Sequence, residues 1–484
     1  MKSDKDLYRQ LRALPCGNLW TDEVARFDAA SPRERIARVA VIRAVGVVFS
    51  EQGTAEQRAQ ARAWLGRLLR DPEEKIRRYA MAALPKLGAN TREESELLHG
   101  LKATRHDRER KSADRALRKV EANIARAERP SVVRLDRPVS QFERLRIHLR
   151  CRKGLEAIVR DEVEAAIAAG MPLRLIDADK GFVAVTPLAP FTLGDLCMLR
   201  CFGTISFVLG AVSPAPESIA SAIASPLARH LLETLTDGSV RYRLEFVSRG
   251  HQRSAVQRVV GKATELCPEL LNDPRRAPWS VDVHPLDRTR VSVELRPRLY
   301  PDPRFYYRKD DVEAASHPPL AACMAYLAGR VKDEIVWDPF CGSGQELIEC
   351  ALLGDVKCII GTDTSPAAID IARANVAAAR LKSVQSKWSV CDFRDFAKVE
   401  GLGPGKVSLV ITNPPMGRRI RIPDMKGFFG DFFGVAAAVL KPGGRLVFPN
   451  PLRLKPADPS LQLQYRQVVD LGGFDCQLEV YLKT

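Results

Sequence analysis

The sequence predicts a multidomain α/β protein, with an N-terminal helical repeat region, a central α+β part and a C-terminal doubly wound parallel sheet. Three observations carry this. At 484 residues the chain exceeds a single core, since domains average roughly 150 residues. Its first third repeats a proline-started helical block, at Ser31 and again at Asp71. Its last third alternates strands and helices behind the loop Asp338-Pro339-Phe340-Cys341-Gly342-Ser343-Gly344.

The composition, 45% hydrophobic and 28% charged, is that of a globular protein. No apolar run approaches the ~18 residues of a membrane span, and Met1-Lys2-Ser3-Asp4-Lys5-Asp6 lacks a signal-peptide core. The expectation is a cytoplasmic protein without membrane association. Eleven cysteines without a Cys-x-x-Cys pair argue against a disulfide framework or a zinc ribbon, so no metal is expected. Cys197 and Cys201 would share a helix face and read as buried thiols. The net charge of +16 is uneven: residues 1–150 hold 33 Lys and Arg against 21 Asp and Glu, and residues 151–484 hold 42 against 38. A basic arm of this kind attracts phosphates, or forms the solvated surface of a helical region.

Ser31-Pro32-Arg33-Glu34-Arg35-Ile36 and Asp71-Pro72-Glu73-Glu74-Lys75-Ile76 each join a capping residue and a first-turn proline to an amphipathic helix. A period near 40 residues resembles HEAT-type repeats, which form binding surfaces. Ala61–Arg70 and Ser112–Ala125 complete the expected helices over residues 1–130. Ala127–Pro138, with two prolines in a polar setting, reads as a linker.

Two α+β modules follow. Leu145–Leu149, Gly181–Val185 and Ile205–Leu209 alternate as strands around helices at Gly154–Ala169 and Leu193–Arg200. Arg241–Val247, Ser280–Val283 and Arg290–Leu295 are the strands of the second module, with a helix at Ser254–Cys267. The modules carry no catalytic constellation. Arg249 and Arg253, flanking Gly250-His251-Gln252 at the opening of that helix, are candidate phosphate contacts.

From residue 334 strand, loop and helix recur in register: strands Glu334–Trp337, Cys358–Asp363, Ser389–Asp392, Ser408–Thr412 and Arg445–Phe448. Ligands of such a sheet sit at its strand ends. Gly342 and Gly344 admit a ligand to the backbone, and the following helix favours an anionic group such as a carboxylate. Asp363, 19 residues beyond Gly344 and followed by Thr364, is placed to accept a ribose diol. Gly344-Gln345-Glu346-Leu347 lacks the third glycine of a dinucleotide loop and sets an acid where a pyrophosphate would lie. A ligand bearing a carboxylate and an amine fits better. Asp392 and Phe393 then suit an adenine, one through its amino group and the other beside its ring.

Thr412-Asn413-Pro414-Pro415 supplies a clamp for a planar amine. The Asn413 side-chain oxygen and the Pro414 carbonyl would accept its two N–H groups and localise the lone pair, while two prolines fix φ and withhold donors.

On these motifs the chain resembles the THUMP-domain class I S-adenosylmethionine-dependent RNA methyltransferases that form N2-methylguanosine. The resemblance extends to Tyr307-Arg308, Ser316-His317-Pro318-Pro319-Leu320-Ala321-Ala322 and Leu440-Lys441-Pro442-Gly443-Gly444, and covers roughly residues 140–484. It implies S-adenosylmethionine bound by Asp338, Phe340, Gly342, Ser343, Gly344, Asp363, Thr364, Asp392, Phe393 and Asn413. Methyl transfer would fall to Asn413, Pro414, Pro415 and Met416. It further implies a ferredoxin-like module at 140–235, a THUMP-like module at 236–310 and a catalytic domain at 311–484, with tRNA as partner. Arg249, Arg253, Arg308, Arg418 and Arg419 become candidate RNA contacts. In one respect the chain departs from the family: Met416 stands where an aromatic residue usually stacks on the flipped base, leaving Phe428, Phe429, Phe432 and Phe433 either to stack or to fill the core. The N-terminal repeats lie outside the family architecture, and their partner could be protein or RNA. Other acceptors for this chemistry are adenine N6 or a protein glutamine, and a non-catalytic RNA-binding scaffold is the non-enzymatic alternative.

Overall fold

The computed structural model describes residues 4–88, 90–102, 106–128, 131–179, 181–247, 252–312, 315–417 and 422–484. The chain separates into two compact units, Met1–Pro130 and Ser131–Thr484. No described helix is long and apolar enough to cross a membrane, and all eleven cysteines are free thiols.

The first unit is helical, around an apolar core that includes Phe49, Trp64, Ile76 and Leu117. Ser31 opens the helix Pro32–Ala37 through a capping box with Glu34. The block is not one helix: Arg38, paired with Glu23, leaves helical geometry at φ −110° and ψ 24°, and a second helix runs Ala40–Gln52. In the other block Asp71 accepts the Glu73 N–H at 2.9 Å ahead of the helix Glu74–Ala83. Arg35 of the first block reaches this same Asp71 at 2.6 Å. Of the remaining expected helices, Ala61–Arg70 overlaps Ala55–Leu68, which starts earlier and ends two residues sooner, and Ser112–Ala125 falls within Asp107–Glu128.

The second unit opens with a two-stranded ribbon, β1 (Ser131–Val133) against β6 (Thr236–Gly238). Between them run β2 (Ile147–Arg150), β3 (Leu173–Asp179), β4 (Phe182–Pro187) and β5 (Thr204–Val212). Then follow β7 (Arg241–Phe246), β8 (Leu271–Asn272), β9 (Trp279–Pro285) and β10 (Val291–Pro297). The two groups form one eight-stranded sheet, β3-β4-β2-β5-β10-β9-β7-β8, joined where β5 and β10 pair antiparallel. Ile147, Leu149, Phe207 and Leu295 join a core with Val159 and Val259 of the helices Glu156–Ala168 and Arg253–Leu266. On the other face lie polar residues such as His148, Ser206 and Glu294, and Glu294 of β10 accepts from Arg150 Nε at 2.7 Å.

The second sheet contains β11 (Glu334–Asp338), β12 (Val356–Asp363), β13 (Gln385–Val390), β14 (Val407–Ile411), β15 (Leu440–Asn450), β16 (Leu461–Asp470) and β17 (Asp475–Lys483). Their order is β13-β12-β11-β14-β15-β17-β16, with β13 to β15 parallel and β17 antiparallel to both its neighbours. Leu440–Gly444, expected as a turn before a strand, lies within β15. Leu440 pairs with Val407 and Arg445 with Leu409, so the residues between bulge out around Gly443 at φ +75°.

A buried ion pair ties the two sheets together. Arg200 donates to both oxygens of Glu349, at 2.7 and 2.8 Å, on the helix Gln345–Leu353 that starts behind the glycine loop. The Tyr307 hydroxyl donates to the same carboxylate at 2.6 Å.

Candidate active site

Four polar side chains stand at the carboxyl ends of four neighbouring strands: Asp392 after β13, Asp363 on β12, Asp338 on β11 and Asn413 after β14. β11, β12 and β14 are largely apolar runs that stop at a polar residue as they leave the core, whereas β13 is a polar edge strand. The parallel register therefore brings residues 75 positions apart, Asp338 and Asn413, onto one edge.

The loop between β11 and its helix turns through Gly342 and Gly344, at φ +49° and +79°. A Cβ on Gly344 would stand 3.3 Å from that of Ala372. The Gly342 N–H donates to Asp363 Oδ2 at 3.0 Å, and Ser365 N–H to Oδ1 at 2.9 Å, which fixes the carboxylate at the mouth of the loop. Ser343 is buried and Thr364 exposed. On β12, Gly361 leaves room for the Trp388 ring, which a Cβ would overlap.

Asp338 is fully buried, and one of its oxygens accepts the Phe340 N–H at 3.0 Å. Burial, and then the nearby charge of Glu346, hold its pKa well above the usual carboxylate range. Burial raises Glu346 as well, and it accepts a hydrogen bond from the Ser316 hydroxyl. Among the described residues, Gln345 Oε1 and Asn413 Oδ1 are buried without a hydrogen-bond partner, and the Thr412 hydroxyl faces Asp338. Unpartnered acceptors near two buried acids fit a cation rich in N–H donors, such as the ammonium end of S-adenosylmethionine.

Further along the edge, Asp392 accepts from Arg394, through its backbone N–H at 2.9 Å and its guanidinium at 3.1 Å. Phe393 is 1% exposed and packs on Phe340 and Phe428, with ring centroids 5.1 and 5.3 Å apart. It therefore supports the pocket from within the core, and Phe340, only partly buried, presents the more open ring of the pair. Phe429, Phe432 and Phe433 are buried in the same core, so they fill it and do not stack on an incoming base. Met416 sits beside Cys476 of β17, the two sulfurs 3.7 Å apart. Arg253 is exposed at the start of its helix on the first sheet, and Arg308 is exposed and paired with Asp311. Arg249, Arg418 and Arg419 lie outside the described residues.

Several site residues carry no motif. Asn375, buried in the helix Pro366–Ala379, donates to Ser343 O and Asp310 O at 3.0 Å each and accepts the Lys309 N–H at 2.8 Å. It staples the segment after Arg308 to the glycine loop. Its only sequence signal is an amide inside an alanine-rich helix. Ser316 and Cys476 give no local signal.

A doubly wound sheet with this glycine loop and these strand-end acceptors defines a class I S-adenosylmethionine-dependent methyltransferase. Residues 306–455 match the family model described as RMKL-like, methyltransferase domain. The chain is 31% identical over 176 residues to a protein of Methanothermococcus thermolithotrophicus named "Probable tRNA (guanine(10)-N2)-dimethyltransferase", covering 34% of this chain and 98% of that one. It is 29% identical over 188 residues to the tRNA (guanine(10)-N2)-dimethyltransferase of Methanocaldococcus jannaschii, 37% of this chain and half of that protein (50%). Among solved structures, TrmN from Thermus thermophilus aligns with a TM-score of 0.54 at 21% identity, over 70% of this chain and 100% of that one. The chain belongs to this family of class I RNA methyltransferases.

Proposed function

We propose that the protein transfers a methyl group from S-adenosylmethionine to the exocyclic N2 amine of a guanosine in structured RNA, with tRNA as the substrate class. The observation that carries this is Asn413 Oδ1, buried without a partner among the described residues, at the end of the strand that pairs with that of Asp338 and followed by two prolines. The names of the curated relatives support the acceptor.

When bound, S-adenosylmethionine supplies an electrophilic methyl group on a sulfonium. Asp338, Gly342 and Gly344 hold its methionine end, Asp363 and Thr364 its ribose, and Asp392 its adenine, with Phe340 and Phe393 backing the pocket. A guanine N2 lone pair is delocalised into the ring and attacks poorly. Asn413 Oδ1 and the Pro414 carbonyl accept its two N–H groups, which returns the pair to nitrogen and aims it. Pro415 keeps the clamp rigid, and Met416 covers the base with a polarizable thioether. No general base is needed, because the cationic product amine releases its proton to water.

In the same reading, residues 140–235 form a ferredoxin-like module and 236–310 a THUMP-like module that carries the RNA toward the catalytic domain at 311–484. Arg249, Arg253, Arg308, Arg418 and Arg419 meet phosphates. Residues 1–130 form a HEAT-like surface for a protein or RNA partner, and the enzyme works in the cytoplasm.

The test is to incubate the full chain with tRNA transcripts and labelled S-adenosylmethionine, digest, and identify the product nucleoside by mass spectrometry. N2-methylguanosine is expected. Label appearing only in N6-methyladenosine or in protein would overturn the acceptor.

A further inference from the structure

Apart from the methyl-transfer edge, the second unit has a groove of about 460 Å³ where the two sheets adjoin. One wall comes from the segment Pro301–Arg308, the other from His317, Pro318 and Pro319.

Two rings face it. Tyr306 is 46% exposed, yet its hydroxyl donates to Ala379 O at 2.7 Å, so an open aromatic face is held in place. His317 is also exposed. Its imidazole is pushed down to about 4 by desolvation and by the positive charges of Arg152, Arg308 and Arg304. Arg304 is paired with Asp302, which also lines the groove, and Arg308 with Asp311, so the charge near the ring without an ion-pair partner among the described residues is that of Arg152. The floor is rigid, because Arg304 is buried and donates to Phe202 O at 2.7 Å and Gly203 O at 3.1 Å. Among the described residues Arg152 makes no ion pair, and its guanidinium donates to Asp470 O at 3.4 Å. Asp470 ends β16, and the turn after it leads to Cys476, whose sulfur meets Met416.

We propose that this groove takes one unpaired RNA nucleotide flanking the target, its base on Tyr306 and His317 and its phosphate toward Arg152. A fixed ring with a guanidinium nearby is the chemistry that holds single-stranded nucleic acid, since every base offers a π-face. The inference rests on RNA as the acceptor and adds a second contact point to it.

The test uses the full chain and a tRNA transcript that the wild type methylates, with Tyr306→Ala, Tyr306→Phe and His317→Ala. RNA affinity is read by fluorescence anisotropy without cofactor, and cofactor affinity by calorimetry. Tyr306→Ala and His317→Ala should each weaken RNA binding about tenfold and raise KM for RNA to match, with kcat and cofactor affinity within about twofold. Tyr306→Phe, which keeps the ring, should stay within about threefold of wild type. Unchanged RNA affinity in both alanine variants would overturn the groove while leaving the acceptor intact, as would a loss matched by weaker cofactor binding. His317 lies on the surface, so its variant reports even if Tyr306→Ala fails to fold. If the wild type methylates no tRNA transcript, the acceptor falls and the groove with it.

Discussion

Replacing Asn413 with alanine isolates the clamp from the rest of the site. Asn413 Oδ1 is buried and bonded to none of the described residues, so its accepting capacity can serve a ligand. Deleting a preorganised group of this kind costs about 10²–10³ in kcat, or roughly 2.7–4 kcal/mol of transition-state stabilisation. The backbone should not move, because two prolines fix the turn after residue 413 and Thr412 is held by its N–H to Val447 O at 3.1 Å. Single-turnover methyl transfer to tRNA should therefore slow at least a hundredfold, while calorimetric affinity for S-adenosylhomocysteine changes by less than about threefold. Asn413→Asp keeps an oxygen at the same place and should retain more activity than alanine. An alanine variant with wild-type single-turnover rates would refute the clamp. So would a loss that disappears at saturating cofactor, since Asn413 would then be a cofactor ligand alone.

Cofactor binding should expel a proton. Burial and Glu346 raise the Asp338 pKa in the free protein and a bound ammonium would lower it, so binding releases a proton between the free and bound values. Affinity then strengthens as pH rises across that range, and calorimetry in buffers of different ionisation enthalpy over a pH series should show the release; buffer-independent heats at every pH would contradict it. The same raised pKa makes the free fold lose stability as pH rises above the unfolded value of about 4, and Asp338→Asn should flatten that slope in thermal unfolding. Arg200→Ala leaves Glu349 buried without its cation and should cost about 3–5 kcal/mol in denaturant unfolding, whereas under about 1 kcal/mol would show the tie to be incidental. Gly361→Ala drives a methyl into Trp388 and should cost about 1–3 kcal/mol, with weaker cofactor binding; an unchanged melting profile would mean that the ring yields freely.

The catalytic sheet is legible in sequence because its signals are local. Asp338 and Asp363 each end a largely apolar strand, and the spacing of glycines and prolines marks where the chain must turn. The union of the two strand groups is not legible, since the pairing of Phe207 with Leu295 joins positions that no local pattern relates. The strands β16 and β17 do alternate, as in Leu461-Gln462-Leu463-Gln464-Tyr465, but their polar faces lack the continuous apolar run that marks the buried parallel strands. Asn375 and Ser316 are ordinary polar residues until tertiary structure gives them partners.

Met416 shows how these two kinds of information combine. From sequence it is an anomaly, a thioether where a stacking ring is expected. In the fold it rests against Cys476 at the start of β17, one of the strands that the sequence hides. The position is therefore packed from one side by a sulfur, and an unbranched side chain with three rotatable bonds can keep that contact while its other side meets a base. A ring at 416 would have to give up one of the two. The rigid aromatic surface absent at the clamp is present instead at Tyr306, pinned through its hydroxyl. Under the two proposals base recognition is divided between a soft contact at the reacting amine and a fixed one on a neighbouring nucleotide.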